Sequence, residues 1–230
     1  MRKQAVRTAF LDTVPVMAGY VFLGFGFGIL LNESGYGALW SLAMSLFIYA
    51  GSMQYVAISL ISGGTGLLTV ALTTLMVNAR HLFYGISMVD AYSGAGSKKP
   101  YLIFALTDET YSLVCGEKKE DKSYYLFVSL FNHIYWISGS VLGAVIGSFL
   151  TFDTKGIDFA LTALFITVFV EQWLSSEDHK SALIGVLSSV ACLIVFKSEN
   201  FLIPSMLLIT LLLTFLSFFE KNKKGGNENE

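Results

Sequence analysis

The sequence predicts an all-α, polytopic membrane helical bundle of about eight transmembrane segments, some of them candidates for discontinuous helices. Three observations carry that prediction. Hydrophobic residues make up 54% of the chain and charged residues only 14%, against about 25% charged in soluble domains. Mean hydropathy is +0.62. Apolar runs recur from residue 13 to residue 219 with short polar breaks, and about 20 apolar residues suffice to span a bilayer.

The segments read 12–31, 38–62, 66–89, 101–116, 123–150, 158–174, 180–197 and 201–219. The first holds Pro15, Gly19, Gly24, Gly26 and Gly28, which makes it a candidate for kinking or local unwinding. Asp12 and Pro15 interrupt its apolar run and no small-residue cleavage site follows, so it is expected to stay in the mature protein. Asn32-Glu33-Ser34-Gly35 separates the second segment, and Ser62-Gly63-Gly64-Thr65-Gly66 the third. The second carries Tyr49-Ala50-Gly51-Ser52-Met53-Gln54, where a helix-weakening glycine precedes two hydrogen-bonding side chains. The third sets Asn78, Arg80 and His81 inside an apolar run. The fourth is 16 residues long with Thr107-Asp108-Glu109-Thr110 at its centre, and a re-entrant hairpin is the alternative to a span. Residues 1–220 are expected to form a single transmembrane domain, and 221–230 a disordered cytoplasmic tail.

The net charge of −2 gives no sign of a nucleic-acid partner. Cys115 and Cys192 lie in or beside apolar segments, and the three histidines have no ligand spacing. No disulfide, metal or cofactor is therefore expected. No glycine-rich loop with Gly-Lys-Ser or Gly-Lys-Thr is present, so no nucleotide-driven pump is expected.

Basic residues set the orientation. If the fourth segment spans, Arg2, Lys3, Arg7, Lys118, Lys119, Lys122, Lys180, Lys221, Lys223 and Lys224 lie inside. Lys98, Lys99, Lys155 and Lys197 lie outside, which is ten against four. If that segment does not span, every later loop changes side and the asymmetry reverses. The expectation is eight spans with both ends cytoplasmic, loop 90–100 outside and loop 117–122 inside. Arg80 then lies about 12 Å and Asp108 about 10 Å below the outer edge at the helical rise. An arginine within a bilayer costs about 2.5–3.5 kcal/mol on insertion scales. An ion pair of Arg80 with Asp108 or Glu109 is expected, either functional or purely structural.

Gly139, Gly143 and Gly147 recur at four-residue spacing in the fifth segment and, with Gly24 and Gly28, suggest a close helix seam. A parallel internal repeat would relate Gly24 and Gly28 to Gly143 and Gly147, and Met53-Gln54-Tyr55 to Glu171-Gln172-Trp173. Asn132, His133, Glu171 and Gln172 add polar atoms, with His133 expected to tie helices together. Gln54 either ties two helices or faces a solute. Fixed donors, a cation, carboxylates and aromatic walls suit a small zwitterion with an apolar tail.

Several of these pieces occur together in a known family. Pro15 with the glycine-rich first helix, Ala50-Gly51-Ser52-Met53-Gln54, Asn78-Ala79-Arg80-His81 with Tyr84-Gly85, and Thr107-Asp108-Glu109 resemble the AzlC family. That family is the large subunit of two-component branched-chain amino acid exporters. The glycine-seamed helix after Trp136 also fits, and the acidic and basic cluster Glu117–Lys122 is the clearest departure. The resemblance implies export of valine, leucine, isoleucine or analogues across the cytoplasmic membrane. It also implies a small membrane partner of the AzlD type, encoded separately.

The chemistry of the motifs assigns substrate binding to Gly51, Ser52, Gln54, Asn78, Arg80 and His81, and proton coupling to Asp108 and Glu109. The leading expectation is a proton-exchanging secondary transporter and not an enzyme. A channel or scaffold subunit is the alternative. An intramembrane enzyme would need Ser52 in reach of His81 or His133.

Overall fold

The computed structural model describes residues 2–115, 121–149, 166, 169–170, 173–174, 179–201, 204–205 and 207–216, which are helical with connecting turns. The chain separates into two compact units, Met1–Leu164 and Phe165–Glu230.

Two long helices form the spine of the first unit. Helix α1 is Arg2–Glu33; the other long helix, Ser123–Gly147, becomes α8 in chain order. They run parallel. Gly139 faces Val21, Gly143 faces Phe25 and Gly147 faces Ile29. A methyl on Gly139 would sit 2.6 Å from the Val21 carbonyl oxygen, and one on Gly24 would sit 2.9 Å from the Ser140 nitrogen. Backbones this close need residues without a side chain, as the four-residue spacing implies. Nearer the N-termini, the Tyr124 hydroxyl donates to Asp12 Oδ2 at 2.8 Å. Against expectation, α1 continues unbroken through Pro15, Gly19 and Gly26. Gly24 and Gly28 serve contact with α8, and Gly26 faces the Tyr55 hydroxyl.

The interruptions fall in the next three segments. Segment 38–62 divides into α2, Ala38–Phe47, and α3, Gly51–Ser62. Tyr49 between them has φ 43°, a left-handed conformation that is strained for an aromatic residue. Helix α2 descends from the C-terminal end of the spine. Its Ser45 hydroxyl lies 2.7 Å from that of Ser140, and its Ser45 carbonyl lies 3.0 Å from His133 Nε2. Helix α3 then climbs back. Gly51 lies against the Trp136 ring, and the Tyr55 hydroxyl donates to the Leu23 carbonyl at 2.6 Å. The segment is a re-entrant hairpin.

Segment 66–89 forms α4, Leu67–Val77, and α5, Arg80–Ser87, with a break at Asn78-Ala79. Together they traverse the spine, because Met88 and Tyr92 pack with Ala5, Ala9 and Tyr125 near the N-terminal ends of α1 and α8. A short 3-10 turn, Gly96–Lys98, leads into α6, Lys99–Phe104, and then α7, Asp108–Val114.

Here the structure corrects the expected topology. Lys98 Nζ donates to Ser123 Oγ at 3.2 Å, and Lys122 Nζ donates to the Ala91 carbonyl at 2.9 Å. Lys122 and Ser123 therefore lie beside loop 90–100, although loops 90–100 and 117–122 were expected on opposite sides. Helix α6 rises to place the Tyr101 hydroxyl 3.1 Å from His133 Nδ1. Helix α7 descends again until Val114 packs with Tyr124 and Val128. Segment 101–116 is a second hairpin, entering from the opposite end. The physical reason is length: with a break at 105–107, neither arm exceeds about two helical turns, about 11 Å. In residues 2–149, three traversals and two hairpins replace the five expected spans.

Two re-entries preserve the parity that one would reverse, so α1 and α8 stay parallel. The charge pattern becomes more one-sided. Lys3, Arg7, Lys98, Lys99 and Lys122 lie at the N-terminal end of the spine, and the turns at 34–37 and 62–66 contain no basic residue. A traversing helix followed by a hairpin occurs twice in opposite sense, as in inverted-repeat transporters.

The second unit contains α9, Lys180–Asn200, and α10, Leu207–Leu216. Lys180–Lys197 is long and apolar enough to cross a membrane, as are Lys3–Glu33 and Ser123–Gly147. Most of segment 158–174, with Glu171 and Gln172, lies outside the described residues, as do the tail 221–230 and residues 116–120. The part of the parallel repeat that rests on Glu171-Gln172-Trp173 therefore has no structural counterpart to compare.

Candidate functional site

The two hairpin tips meet halfway along the spine. Tyr49 of the first tip lies on the His133 ring with centroids 4.0 Å apart, and Phe104 of the second is 6.1 Å from Tyr49. Helices α3, α5 and α7 all begin near this level, with the first turn of each at a break in its segment. The N-terminal end of a helix carries partial positive charge. Such breaks place backbone polarity where an unbroken helix would hide it.

Arg80 joins all three starts. Its Nη1 is 2.7 Å from Asp108 Oδ2, and its Nη2 donates to Ser52 Oγ at 2.8 Å. Of the two expected partners, the structure selects Asp108. The pair is partly accessible, with side-chain exposures of 32% for Arg80 and 26% for Asp108. It is also incompletely satisfied: Arg80 Nε, Asp108 Oδ1 and Asn78 Oδ1 are buried atoms without a hydrogen-bond partner. A guanidinium with a spare donor, beside a carboxylate with a spare acceptor, can receive both ends of a zwitterion.

Asn78 forms the break before Arg80, and its carbonyl lies 3.2 Å from His81 Nδ1. A carbonyl only accepts, so that nitrogen carries the hydrogen. His81 also lines a cavity of about 290 Å³ with Leu82, Gly85, Met88, Lys99 and Leu106.

Gly51 and Gln54 do different work. A methyl on Gly51 would come 2.9 Å from the Trp136 ring. Gln54 is fully buried, accepts from Trp136 Nε1 at 2.8 Å and donates to Ser45 at 3.3 Å. Both of its amide ends are engaged, so it ties α3 to α8 and α2. His133 likewise holds one hairpin by each ring nitrogen. Ser52 hydrogen-bonds Arg80, His81 Nδ1 bonds the Asn78 carbonyl, and both ring nitrogens of His133 bond the hairpins.

Glu109 turns away from Arg80. Its Oε2 accepts from the Tyr20 hydroxyl at 2.7 Å, and that hydroxyl is 2.6 Å from Thr107 Oγ1. Thr107 also caps α7 by accepting from the Thr110 N–H. Tyr20 was not singled out by the sequence. Its only signal is a phenol at the centre of an otherwise apolar helix.

Comparison with known proteins fits this picture. A profile described as AzlC protein matches residues 15–150, the span that holds both hairpins and the Arg80 site. The chain is 46% identical over 216 residues to a Bacillus subtilis (strain 168) protein named "Branched-chain amino acid transport protein AzlC", covering 92% of this chain and 85% of that one. It is 42% identical over 214 residues to an uncharacterized membrane protein of Helicobacter pylori (strain ATCC 700392 / 26695), covering 91% and 94%. It is 28% identical over 192 residues to the Escherichia coli (strain K12) inner membrane protein YgaZ, covering 78% of each. No solved structure matches. With the profile spanning the whole hairpin assembly and identity extending over nine-tenths of its length, the chain belongs to the AzlC family.

Proposed function

We propose that the protein is the large subunit of a secondary transporter that exports branched-chain amino acids across the cytoplasmic membrane by proton exchange, together with a small AzlD-type partner. The observation that carries this reading is the Arg80–Asp108 pair held between two opposed hairpins with an unused donor and an unused acceptor. Arg80 receives the substrate carboxylate, Asp108 the ammonium, and Ser52 and Asn78 complete the polar rim. The relative named for branched-chain amino acid transport supports the substrate class. Gly51 and Gln54 serve by fixing α3, while His81 borders the apolar cavity beside the polar rim. Asp108 and Glu109 are the two candidates for the coupling proton.

The test is efflux of labelled leucine from cells lacking the gene, complemented with the chain and its partner. Complementation should restore efflux, and Arg80→Ala should abolish it, per molecule of folded protein. Leucine retention unchanged by complementation would refute the reading.

A further inference from the structure

We propose that Glu109, rather than Asp108, takes up the coupling proton, and that Tyr20 is the positioning residue whose hydroxyl reverses direction when it does. This rests on the transport reading above.

The geometry separates the two neighbouring carboxylates. Asp108 is engaged with the Arg80 cation, where it serves as counterion. Glu109 is half-buried and heads a chain of hydroxyls. Its Oε2 is 2.7 Å from the Tyr20 hydroxyl, which is 2.6 Å from Thr107 Oγ1. Thr107 Oγ1 is 3.0 Å from Thr110 Oγ1, which accepts from Asn132 Nδ2 at 3.0 Å. Tyr20, Thr107, Thr110 and Asn132 are all buried. The chain links α1, the second hairpin and α8.

Each hydroxyl has one hydrogen, so the chain has a direction. An ionised Glu109 only accepts. The hydrogens then point toward it, from Thr107 to Tyr20 and from Tyr20 to the carboxylate, and Thr107 gives up its bond to Thr110. A protonated Glu109 donates to Tyr20. Tyr20 must then donate to Thr107, and Thr107 donates to Thr110. One proton passing from hydronium to Glu109 Oε2, leaving water behind, thus redirects the hydroxyls of α1 and the second hairpin, while Asn132 of α8 keeps donating to Thr110. The same proton later leaves to water, and no other bond forms or breaks.

Other groups face Glu109 without breaking this assignment. Tyr49 approaches from the first hairpin tip, its buried hydroxyl beside those of Tyr20 and Thr107. Arg80 and Tyr84 act from α5, and Asp108 from the preceding position. Of these charged groups, Arg80 is committed to Asp108 and Ser52.

The experiment uses the full chain with its partner in proteoliposomes. Three quantities are read: leucine counterflow at equal pH, leucine flux driven by a pH gradient, and proton release on leucine addition. Tyr20→Phe should keep counterflow within about twofold and lose about tenfold of gradient-driven flux, because it removes proton positioning and not the site. Glu109→Gln should abolish proton release and leave reduced but measurable counterflow. Asp108→Asn should weaken leucine binding yet retain proton release at saturating leucine. Mass-spectrometric mapping of a carbodiimide, which attacks protonated carboxyls, gives a readout independent of transport. Glu109 should be modified in a pH-dependent way, and Tyr20→Phe should change that dependence where Tyr20→Leu merely destabilises.

Proton release retained in Glu109→Gln would overturn the assignment, as would flux driven by sodium instead of pH. Carbodiimide labelling of Asp108 in place of Glu109 would do the same. Absence of wild-type counterflow alongside pH-dependent labelling of Glu109 would sink the transport reading while the protonation site stood.

Discussion

Tyr49 lies nearly flat on His133, their ring centroids 4.0 Å apart and their planes 29° from parallel. The same imidazole bonds the Ser45 carbonyl of the first hairpin and the Tyr101 hydroxyl of the second. Because Ser45 offers a carbonyl, Nε2 must carry the hydrogen and Nδ1 accepts from Tyr101. One side chain on α8 therefore holds both tips.

That arrangement predicts a stability loss for His133→Leu. The substitution keeps bulk against Tyr49 and removes both hydrogen bonds. Unpaired buried polar groups cost about 1–3 kcal/mol each. Thermal unfolding in detergent should fall accordingly, and a midpoint equal to wild type would show that His133 is not the clasp.

The ion pair predicts a selective rescue. Arg80→Ala strands the Asp108 carboxylate. Breaking a buried pair costs about 3–5 kcal/mol; partial exposure lowers the expectation to about 1–3 kcal/mol. Adding Asp108→Asn should recover folded protein, whereas adding Glu109→Gln should not, since Glu109 bonds Tyr20. Size-exclusion recovery after heating would measure both, and equal rescue by the two would contradict the observed pairing.

Topology predicts a labelling pattern opposite to the eight-span reading. Single cysteines at Ser97 and Ser123, in a cysteine-free background, should react from the same side of the membrane. Cysteines at Ser34 and Ser62 should react from the other. Lys98 touching Ser123 requires the first result, and opposite labelling of Ser97 and Ser123 would refute the second hairpin.

The spine predicts intolerance of a single methyl. Gly143→Ala pushes its Cβ into the Phe25 backbone, which has no flexible end to give way. Overpacking costs about 1–3 kcal/mol. Gly85→Ala, where nothing lies within 4 Å, is the control and should fold normally.

Asp121 gives a prediction in pH. Its Oδ1 accepts from the Ser123 N–H at 2.9 Å at the start of α8, which holds its carboxyl below the ordinary aspartate range. A depressed value means the ionised form stabilises the fold. That contribution is present above the ordinary range and is lost as pH falls through the lowered value. Amide exchange at Ser123 should therefore accelerate in acid, and Asp121→Asn should remove the acid dependence.

Much of the site was legible because its chemistry is local. A cation and two carboxylates at membrane depth had to find one another, and Arg80 did pair with Asp108. The depth argument behind that pairing assumed that Asp108 came from the outer side; it comes from the other end. Four-residue glycine spacing located the seam, and Gln54 and His133 tie helices as one reading of each had it. The hairpins were not legible, since hydropathy measures apolar content and not direction. Weighing re-entry for segment 101–116 alone made the basic residues argue against it. A second re-entry at 38–62 removes the objection. The break at Asn78-Ala79 has neither proline nor glycine to announce it, and Tyr20 looked like any core aromatic.

The ties between Gln54 and Trp136 and between Ser45 and Ser140 join residues 82 and 95 positions apart. At about 5–20 residues per second of synthesis, α8 arrives about 4–20 s after the first hairpin. Throughout that interval the ribosome has delivered a segment whose Gln54 carbonyl and Ser45 hydroxyl lack the α8 partners still unmade. The first hairpin must therefore wait beside the insertion machinery, and its final placement is an event of late biogenesis. A stalled chain ending before Trp136 would carry that hairpin unmoored.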